Sequence, residues 1–391
     1  MTVPVFCCGA ECGVIDATAA HFITQTGTAT FSTTTVRSGA RSIRFNPAAA
    51  IIFVLLGPPS NTRWVGRFYI RFATLPNAAI PLARASSTGP RVEFLNTDSK
   101  IYANVNGTRG ATGVAVTTGV WYRIDFDFNI NTGGADFCDV QVDGTACGQA
   151  TATGSSGAEQ VSIGAIATCT ADFFIDDIVL SNTAADYPFG EGKVVSYIPN
   201  ADGTHTIASA SDFFQETAHV DCNGRTDNWT MIDDRPLEST VGDFLNAQFP
   251  PVSTDYIECL FEDSAEASAP RGVEIIGARH QAGTGVGDMR VVLRDLNGST
   301  EDAWISQVAQ AGSTTLVYHR KHYAAIPGGG AWTLTAFNNL AVRFSLGGTG
   351  DANPDQYFDC VMLEAEYATG PVLTPGRRLT VKQAVNRAAV I

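Results

Sequence analysis

The feature of this sequence that most limits its fold is a strict alternation of side-chain type from Trp121 to Asn129. The even positions from 122 to 128 carry large apolar side chains, whereas the odd positions before Asn129 carry Arg123, Asp125 and Asp127. Successive side chains of a β-strand point to opposite faces, so a period of two predicts a strand with one apolar and one polar face. We expect the apolar face to be buried in a core and the polar face to be solvated.

Strand-like runs of the same kind recur along the chain and are separated by Gly, Asn, Asp and Pro. The dipeptide Asp143-Gly144 predicts a tight type I′ hairpin turn, in which both central residues need positive φ. Helical crossovers between the runs are not predicted, which favours an antiparallel sandwich or jelly roll over a parallel sheet. The clearest predicted strands are Ser42–Phe45, Ile51–Leu56, Trp64–Phe72, Arg91–Leu95, Lys100–Asn104, Trp121–Asn129, Phe137–Val142 and Phe173–Leu180.

The composition agrees with an all-β protein. Among 391 residues there are 38 Gly and 17 Pro, and only 16% are charged, which suits strands with Gly-rich turns better than long surface helices or disorder. The net charge of −14 argues against a nucleic-acid partner, because phosphate binding needs clustered Lys and Arg. The most apolar run, residues 48–56, is about half as long as a membrane-spanning helix requires, so we expect no membrane insertion.

A break in the strand pattern at residues 181–192 predicts a domain boundary, because this stretch contains Pro188, Gly190 and Gly192. We predict an N-terminal β-sandwich over residues 1–187, a linker over 188–192, a second β-sandwich over 193–366 and a basic C-terminal arm over 367–391. The two halves also contain loosely similar runs in the same order. These pairs are Trp64–Phe72 with Thr254–Phe261, Arg91–Leu95 with Arg290–Arg294, and Phe174–Leu180 with Tyr357–Leu363.

Three motifs together resemble those of the concanavalin A-like, laminin-G-like jelly rolls. They are the strand that starts at Trp121, the turn Val142-Asp143-Gly144 and the late run Ile175-Asp176-Asp177-Ile178. The resemblance covers residues 60–182 well and residues 193–366 weakly. The opening residues 5–13, VFCCGAECG, are also similar to the start of many bacteriophage virion proteins of this fold. The resemblance implies two tandem antiparallel β-sandwich (jelly-roll, concanavalin A-like) domains with a short C-terminal arm or helix.

For function, the resemblance implies a non-enzymatic structural protein of a bacteriophage virion, either a capsid decoration protein or a tail-associated component, assembled in the host cytoplasm. Its partners would be other virion proteins and copies of itself in a homo-oligomer. The alternative is a carbohydrate-binding adhesin that recognises a host surface glycan, because this fold also serves lectins. Glycan binding would need exposed aromatic side chains in a groove, and the candidates are Trp64, Trp121, Trp229, Trp304 and Trp332.

The C-terminal arm differs in charge from the rest of the chain. It contains Arg377, Arg378, Lys382 and Arg387 and no acidic residue, so the acidic excess lies entirely before it. Apolar side chains, among them Val385, recur at helical spacing on another side of the segment. Because a helix this short needs a surface to pack on, we predict that these five residues bind a neighbouring subunit by charge and apolar contact.

The sequence predicts that this protein is not an enzyme. A glycanase needs two carboxylates held across a cleft, and the Glu-x-Asp-x-x-Glu arrangement of the glucanases of this fold does not occur in the sequence. Asp125 and Asp127 share a strand face, as do Glu364 and Glu366. An amphipathic strand explains each pair as part of its solvated side.

No cofactor is predicted, and calcium is the alternative that the residues leave open. Asp136, Asp139, Asp143, Asp176 and Asp177 could converge near one end of the first sandwich and offer oxygen ligands. Asp176 and Asp177 are adjacent in a strand, so alternation should direct at most one of them towards any one site.

The cysteines near the start are predicted to be free thiols. Cys7, Cys8 and Cys12 form a cluster without a second pair of Cys or His residues at the spacing of a zinc site. An odd total of nine Cys and the lack of a recognisable secretory signal agree with reduced thiols. A metal knuckle is therefore the less favoured interpretation.

Two further pairs are predicted to have no joint chemistry. Cys138 and Cys147 flank the Asp143-Gly144 turn, where Cys147 should lie opposite Val140 and only diagonally from Cys138. A diagonal separation of about 7–8 Å is too long for an unstrained disulfide. His319 and His322 should lie on opposite faces of a strand, which disfavours a metal bound by both.

Overall fold

The computed structural model describes residues 6–13, 23–26, 29–46, 51–55, 62–86, 88–131, 134–153, 160–205, 213–215, 220–221, 226–233, 245–247, 256–281, 286–297, 300–311, 316–346 and 356–369. Most of the secondary structure in these ranges is β-strand, and the strands form four sheets with antiparallel pairing, packed as two sandwiches. The predicted all-β fold with two tandem β-sandwiches is confirmed. Within the described ranges, no helix is long and apolar enough to cross a membrane.

The first sandwich is built from the strands that precede residue 182. They are β1 (Phe6–Cys8), β2 (Ile23–Thr26), β3 (Ala29–Ser32), β4 (Ser42–Phe45), β5 (Ile51–Leu55), β6 (Arg63–Thr74), β7 (Ile80–Arg84), β8 (Pro90–Leu95), β9 (Lys100–Val105), β10 (Thr108–Arg109), β11 (Val114–Ala115), β12 (Trp121–Asn129), β13 (Ala135–Val142), β14 (Thr145–Ala146), β15 (Ala150–Thr153), β16 (Gln160–Gly164) and β17 (Asp172–Ser181).

The second sandwich begins at Gly192, after a short 3-10 helix at Ala184–Asp186. Among its described residues, the helical turns are a 3-10 helix at Asn228–Met231 and α1 (Leu334–Phe337). Its strands are β18 (Gly192–Tyr197), β19 (Pro199–Asp202), β20 (Phe213–Gln215), β21 (Val220–Asp221), β22 (Leu245–Ala247), β23 (Tyr256–Phe261), β24 (Gly272–Gln281), β25 (Val286–Asp295), β26 (Thr300–Ala311), β27 (Val317–Tyr323), β28 (Leu340–Leu346) and β29 (Gln356–Ala368).

The eight strands predicted from alternation are all present, as β4, β5, β6, β8, β9, β12, β13 and β17, with ends that differ by at most two residues. The predicted hairpin turn is also confirmed, because Asp143 and Gly144 have φ values of 50° and 81°. β29 continues to Ala368, two residues beyond the predicted end of the second sandwich.

Each sandwich consists of two sheets. In the first, sheet A has the order β14-β13-β12-β6-β17-β4-β3, with β1 also beside β17, and sheet B has the order β10-β9-β8-β7-β16-β5-β2. In the second, sheet C has the order β21-β20-β22-β29-β24-β27, with β18 also beside β29, and sheet D has the order β19-β23-β28-β25-β26. Rows of buried aromatic and aliphatic side chains fill the space between A and B and between C and D.

The two sandwiches share a connectivity, and it corrects the predicted pairing of similar runs. β6 lies between β12 and β17 in sheet A, and β24 lies in the same way between β27 and β29 in sheet C. β16 joins β5 to β7, just as β28 joins β23 to β25. The counterpart of β6 is therefore β24 and not β23, and β25 corresponds to β7 rather than to β8. The pairing of the last strands, β17 with β29, agrees with this topology.

The position of β1 joins the two domains. β1 pairs with β17 through Phe6↔Leu180 and Cys8↔Ile178, and on its other side it contacts β24 and β29 of the second sandwich. The outward face of sheet A consequently faces the outward face of sheet C. Phe6 and Cys8 point into the first core, whereas Cys7 lies in a small apolar cluster at this junction.

Candidate functional site

The five residues predicted to bind a neighbouring subunit, Arg377, Arg378, Lys382, Val385 and Arg387, lie outside the described residues, as does the rest of the arm from residue 370. The candidate sites described here are therefore the domain junction and the clefts of the two sandwiches.

The expectation that Asp125 and Asp127 face solvent is wrong. Both side chains are buried on sheet A, and each is paired with an arginine. Arg123 Nε donates to Asp125 at 2.7 Å, and Arg63 Nε donates to Asp127 at 2.9 Å. Burial raises the pKa of both carboxyls, while the neighbouring guanidinium groups oppose that rise. Gly190, in the connection between the two domains, donates its N–H to Asp125 at 3.2 Å. Because this connection covers Asp125, the polar face of β12 is an internal surface.

The second pair, Glu364 and Glu366, is also buried and not solvated as predicted. Glu366 accepts a hydrogen bond from Arg67 of the first sandwich at 3.0 Å, and neither side chain is exposed. Arg271 forms a second, bidentate pair with the same carboxylate. Gly192 passes so close to Arg67 Nη1 that a Cβ at this position would lie 2.1 Å from it. The pair therefore joins the two sandwiches at a tightly packed point.

Arg320 organises a second group of charges at the same junction. Its Nη2 donates to Glu364 at 3.2 Å and to the carbonyl oxygen of Cys7, and its Nε donates to Glu274 at 3.3 Å. Burial, followed by the charges of nearby acidic groups, raises the pKa of Glu364 to about 8 although Arg320 opposes this effect. The backbone N–H of Glu11 also donates to Glu364, at 3.2 Å. Neither acid of the Glu364 and Glu366 pair is placed to act on a substrate.

The acids proposed as calcium ligands do not form one cluster. Asp136 accepts from the backbone of Asn131 at 2.7 Å, and Asp143 accepts from the backbone of Arg123 at 2.8 Å. None of the five predicted acids belongs to the one group of three close metal-binding side chains found in the described ranges. Calcium binding stays a prediction.

Asp176 and Asp177 serve the same turn, contrary to the expected alternation. The backbone N–H of Arg37 donates to Asp176 at 2.9 Å, while the hydroxyl group of Ser38 donates to Asp177 at 2.7 Å. The register shifts at a β-bulge after Asp176, and Asp177 has a φ of 51°, which turns both carboxylates to one side. Asp177 also accepts from the backbone of Val194 at 2.6 Å. Asp177 thus anchors the start of the second sandwich, while Asp176 holds the turn at Arg37.

The eight described cysteines are buried: Cys7, Cys8, Cys12, Cys138, Cys147, Cys169, Cys259 and Cys360. The N–H of Cys147 donates to Val140 at 2.8 Å, so the predicted register across the hairpin is confirmed. Desolvation raises the pKa of Cys147 to about 12, and the pKa of Cys138 is raised for the same reason.

His319 and His322 lie on opposite sides of β27, as predicted. His319 accepts a hydrogen bond from Arg279 at 2.9 Å and contacts the ring of Trp304. His322 Nδ1 lies 2.9 Å from Glu274 at the domain junction. The sequence gives no sign of this second contact, because Glu274 and His322 are brought together only by the pairing of β24 with β27.

The candidate tryptophans differ in accessibility. Trp64 and Trp332 are buried in the two cores, and Trp121 and Trp304 are partly buried. Trp229 is also partly buried, and it lines an open cleft at the edge of the second sandwich.

This cleft, named here the Trp229 cleft, has a volume of about 530 Å³ and is lined by Asn200, Ala201, Asp202, Gly203, His205, Thr226 and Trp229. Asp202, at the end of β19, accepts from the backbone N–H of Trp229 at 2.9 Å and from the amide of Asn228 at 2.9 Å. The carboxylate thereby fixes the 3-10 helix that carries the indole. His205 has a buried Nδ1 for which no hydrogen-bond partner is present among the described atoms. The cleft combines one aromatic ring with several polar groups.

Comparison with known proteins gives neighbours in structure only. No family model matches the sequence, and no curated protein matches it. An endo-β-1,4-glucuronan lyase from the fungus Trichoderma reesei is 11% identical, with a TM-score of 0.34, and the match covers 47% of this chain and 97% of the lyase. Domain 4 of the extracellular arabinanase AbnA from Geobacillus stearothermophilus is 13% identical, with a TM-score of 0.32, and the match covers 46% of this chain and 95% of the arabinanase domain. The tandem CBM22 domains of Xyn10C from Paenibacillus barcinonensis are 9% identical, with a TM-score of 0.26, and the match covers 93% of this chain and 98% of the tandem domains. None of these comparisons assigns a family or an activity to this chain.

Proposed function

We propose that this chain is a non-enzymatic carbohydrate-binding protein and that the sugar lies in the Trp229 cleft. The observation that carries the proposal is Trp229 at the wall of an open cleft, on a 3-10 helix whose backbone is held by Asp202. A volume of about 530 Å³ is within the range of small-molecule sites. Such sites combine apolar or aromatic walls with a few polar groups that fix the orientation of the ligand.

The chemistry of the lining residues suits a sugar. A pyranose ring has an apolar C–H face that can pack on an indole, and its hydroxyl groups need donors and acceptors at the rim. Asn200, His205 and Thr226 offer such groups around Trp229. Hydrogen bonds to hydroxyl groups would orient the sugar, while contact with the ring would supply most of the apolar burial.

The state of the paired acids supports binding without hydrolysis. The two carboxylates of a glycosidase must both reach the glycosidic bond, whereas Asp125, Asp127, Glu364 and Glu366 are buried and paired with arginines. Turnover of a polysaccharide that is lost on changing one of these acids would contradict the proposal.

A glycan array followed by isothermal titration calorimetry tests the proposal. We expect saturable binding of at least one oligosaccharide, and we expect Trp229→Ala to weaken it about tenfold or more, equivalent to about 1.4 kcal/mol. Trp229→Phe should weaken binding less, because a ring remains. Trp121→Ala, which removes a partly buried indole from the first sandwich, is the matched control and should bind as the original protein does. An array without binding, or equal loss in the Trp229→Ala and Trp121→Ala variants, would reject the cleft as the site.

A bacteriophage virion is the setting that we propose for this binding protein, with capsid decoration or a tail-associated position as the two options. The support is the resemblance of residues 5–13 to the start of bacteriophage virion proteins of the jelly-roll fold, together with the basic arm. Two sandwiches joined by buried ion pairs would suit display on a particle. Mass spectrometry and imaging of the native particle test this setting independently of any sugar.

A further inference from the structure

Three metal-binding side chains from three distant parts of the sequence meet at the domain junction. They are Cys7 of β1, Glu274 of β24 and His322 of β27, and the thiol sulfur, a carboxylate oxygen and an imidazole nitrogen all lie within 4.8 Å of one another. It is the one such group of three within the part of the chain that the structure describes. The sequence does not reveal it, because Cys7 lies 267 positions from Glu274.

One carboxylate oxygen of Glu274 already contacts the other two residues, through the backbone of Cys7 and the ring of His322. Glu274 Oε1 accepts a hydrogen bond from the Cys7 N–H at 3.2 Å and lies 2.9 Å from His322 Nδ1. Strand pairing sets Glu274 directly opposite His322. The other ring nitrogen of His322 is buried, and no hydrogen-bond partner is present for it among the described atoms. To bind an ion together with the other two side chains, the Cys7 thiol would give up its contact with the carbonyl oxygen of Glu364, 3.6 Å away.

The mixture of donors selects the ion. A thiolate, an imidazole and a carboxylate are the usual ligands of Zn²⁺, which accepts four ligands in a tetrahedron. Calcium and magnesium prefer oxygen atoms alone. We propose that Cys7, Glu274 and His322 form a Zn²⁺ site with water as its fourth ligand.

The surrounding charges are compatible with a divalent ion. The thiolate of Cys7 and the carboxylate of Glu274 together balance its two positive charges. Arg320 lies 3.3 Å from the other carboxylate oxygen of Glu274 and 3.2 Å from Glu364, so its positive charge is shared between these two acids. His322 also lines an open cavity of about 470 Å³ together with Glu301 and Asp302, so this ligand of the group borders an open cavity.

Binding must displace a proton from Cys7. Zn²⁺ binds the thiolate form of cysteine, so the thiol proton has to leave when the bond forms. The step is Cys7–SH plus Zn²⁺ giving a Cys7–S–Zn bond and one H⁺ released to solvent.

The ion would link the two sandwiches. Cys7 is hydrogen-bonded in sheet A through β1, whereas Glu274 and His322 belong to sheet C. Zn²⁺ would bind the folded chain with its two docked sandwiches and not the unfolded chain. Because a ligand that binds only the folded state stabilises it by mass action, Zn²⁺ should raise the melting temperature of the whole chain.

The test uses the full chain, treated with a chelator and then titrated with Zn²⁺ or Co²⁺. We expect one ion per chain, a near-ultraviolet thiolate-to-cobalt charge-transfer band with Co²⁺, and a higher melting temperature with Zn²⁺. Cys7→Ser and His322→Gln should each weaken binding at least tenfold and remove or shift the cobalt spectrum. His319→Gln, on the opposite face of the same strand, and Cys138→Ser, in the first core, are the matched controls and should bind normally.

The proposal is overturned if the original chain binds no ion in a one-to-one ratio, or if its cobalt complex has no thiolate band. It is also overturned if His322→Gln and His319→Gln lose affinity equally. His322 is 13% exposed, so its replacement should fold even if the buried Cys7→Ser variant does not, and the decision can rest on the histidine variants.

Discussion

The guanidinium of Arg67 in the first sandwich and the carboxylate of Glu366 in the second lie 3.0 Å apart, with neither side chain exposed to solvent. The two residues are 299 positions apart in the sequence. A buried charge that has lost its water is stabilised by its ion-pair partner. Each sandwich therefore supplies the counter-charge for a buried group of the other. The two sandwiches therefore behave as one structural unit.

Arg67→Ala should destabilise the chain by about 3 kcal/mol, the lower end of the range for breaking a buried ion pair, because Arg271 still pairs with Glu366. Chemical denaturation gives the free energy of unfolding. The control is Arg44→Ala, which removes a more exposed pair with Asp172 and should cost about 1 kcal/mol or less. Equal costs for the two variants would contradict a dominant role for the junction.

The stability of the chain should fall as the pH rises from about 4.5 to about 8. The pKa of Glu364 is raised to about 8 in the folded protein, mainly by burial, so the folded state holds a proton that the unfolded state has already released. The stabilisation is complete below the unfolded pKa and is lost as the pH approaches 8, with a slope of at most about 1.4 kcal/mol per pH unit for one group. Asp125 and Asp176, whose pKa values are also raised, act in the same direction.

Glu364→Gln isolates this contribution, because the amide resembles the protonated acid and cannot titrate. Denaturation at a series of pH values should show a smaller decline than in the original protein. Glu301→Gln, an exposed acid on β26, should leave the decline unchanged. An identical pH dependence in the Glu364→Gln variant and the original protein would show that this carboxyl is ionised throughout.

The described thiols should be unreactive in the folded protein. All eight are buried, and the pKa of Cys147 is raised to about 12 by desolvation, so the nucleophilic thiolate is scarce. We expect Ellman's reagent at pH 8 to label none of these eight before unfolding and all nine cysteines of the chain in denaturant. Mass spectrometry after labelling identifies the sites, and rapid labelling of Cys138 or Cys147 in the native state would contradict the burial.

The strands could be predicted because alternation is a local property, and Trp121–Asn129 matches β12 at both ends. Where the polar face of β12 lies in the protein could not be predicted from the sequence. Asp125 has the pattern of a solvated acid, and only the fold shows that the interdomain connection at Gly190 covers it. Counter-charges such as Arg67 and Glu366 leave no periodic trace, because their separation in sequence is set by domain packing. Local similarity likewise matched β6 with β23, whereas strand pairing identifies β24 as its counterpart.

Deleting residues 371–391 should leave both sandwiches folded, because β29, the last strand, ends at Ala368. The removed segment contains every basic residue of the predicted arm, so oligomerisation or attachment to a particle should weaken. Circular dichroism and thermal melting check the fold, and sedimentation checks the assembly. Replacing Arg377, Arg378, Lys382 and Arg387 by Gln in the full chain is the matched control for charge. If both variants assemble as the original chain does, the arm is not the attachment element. If only the deletion variant fails to assemble, the four basic side chains are dispensable. Apolar contacts such as those expected of Val385 would then carry the attachment.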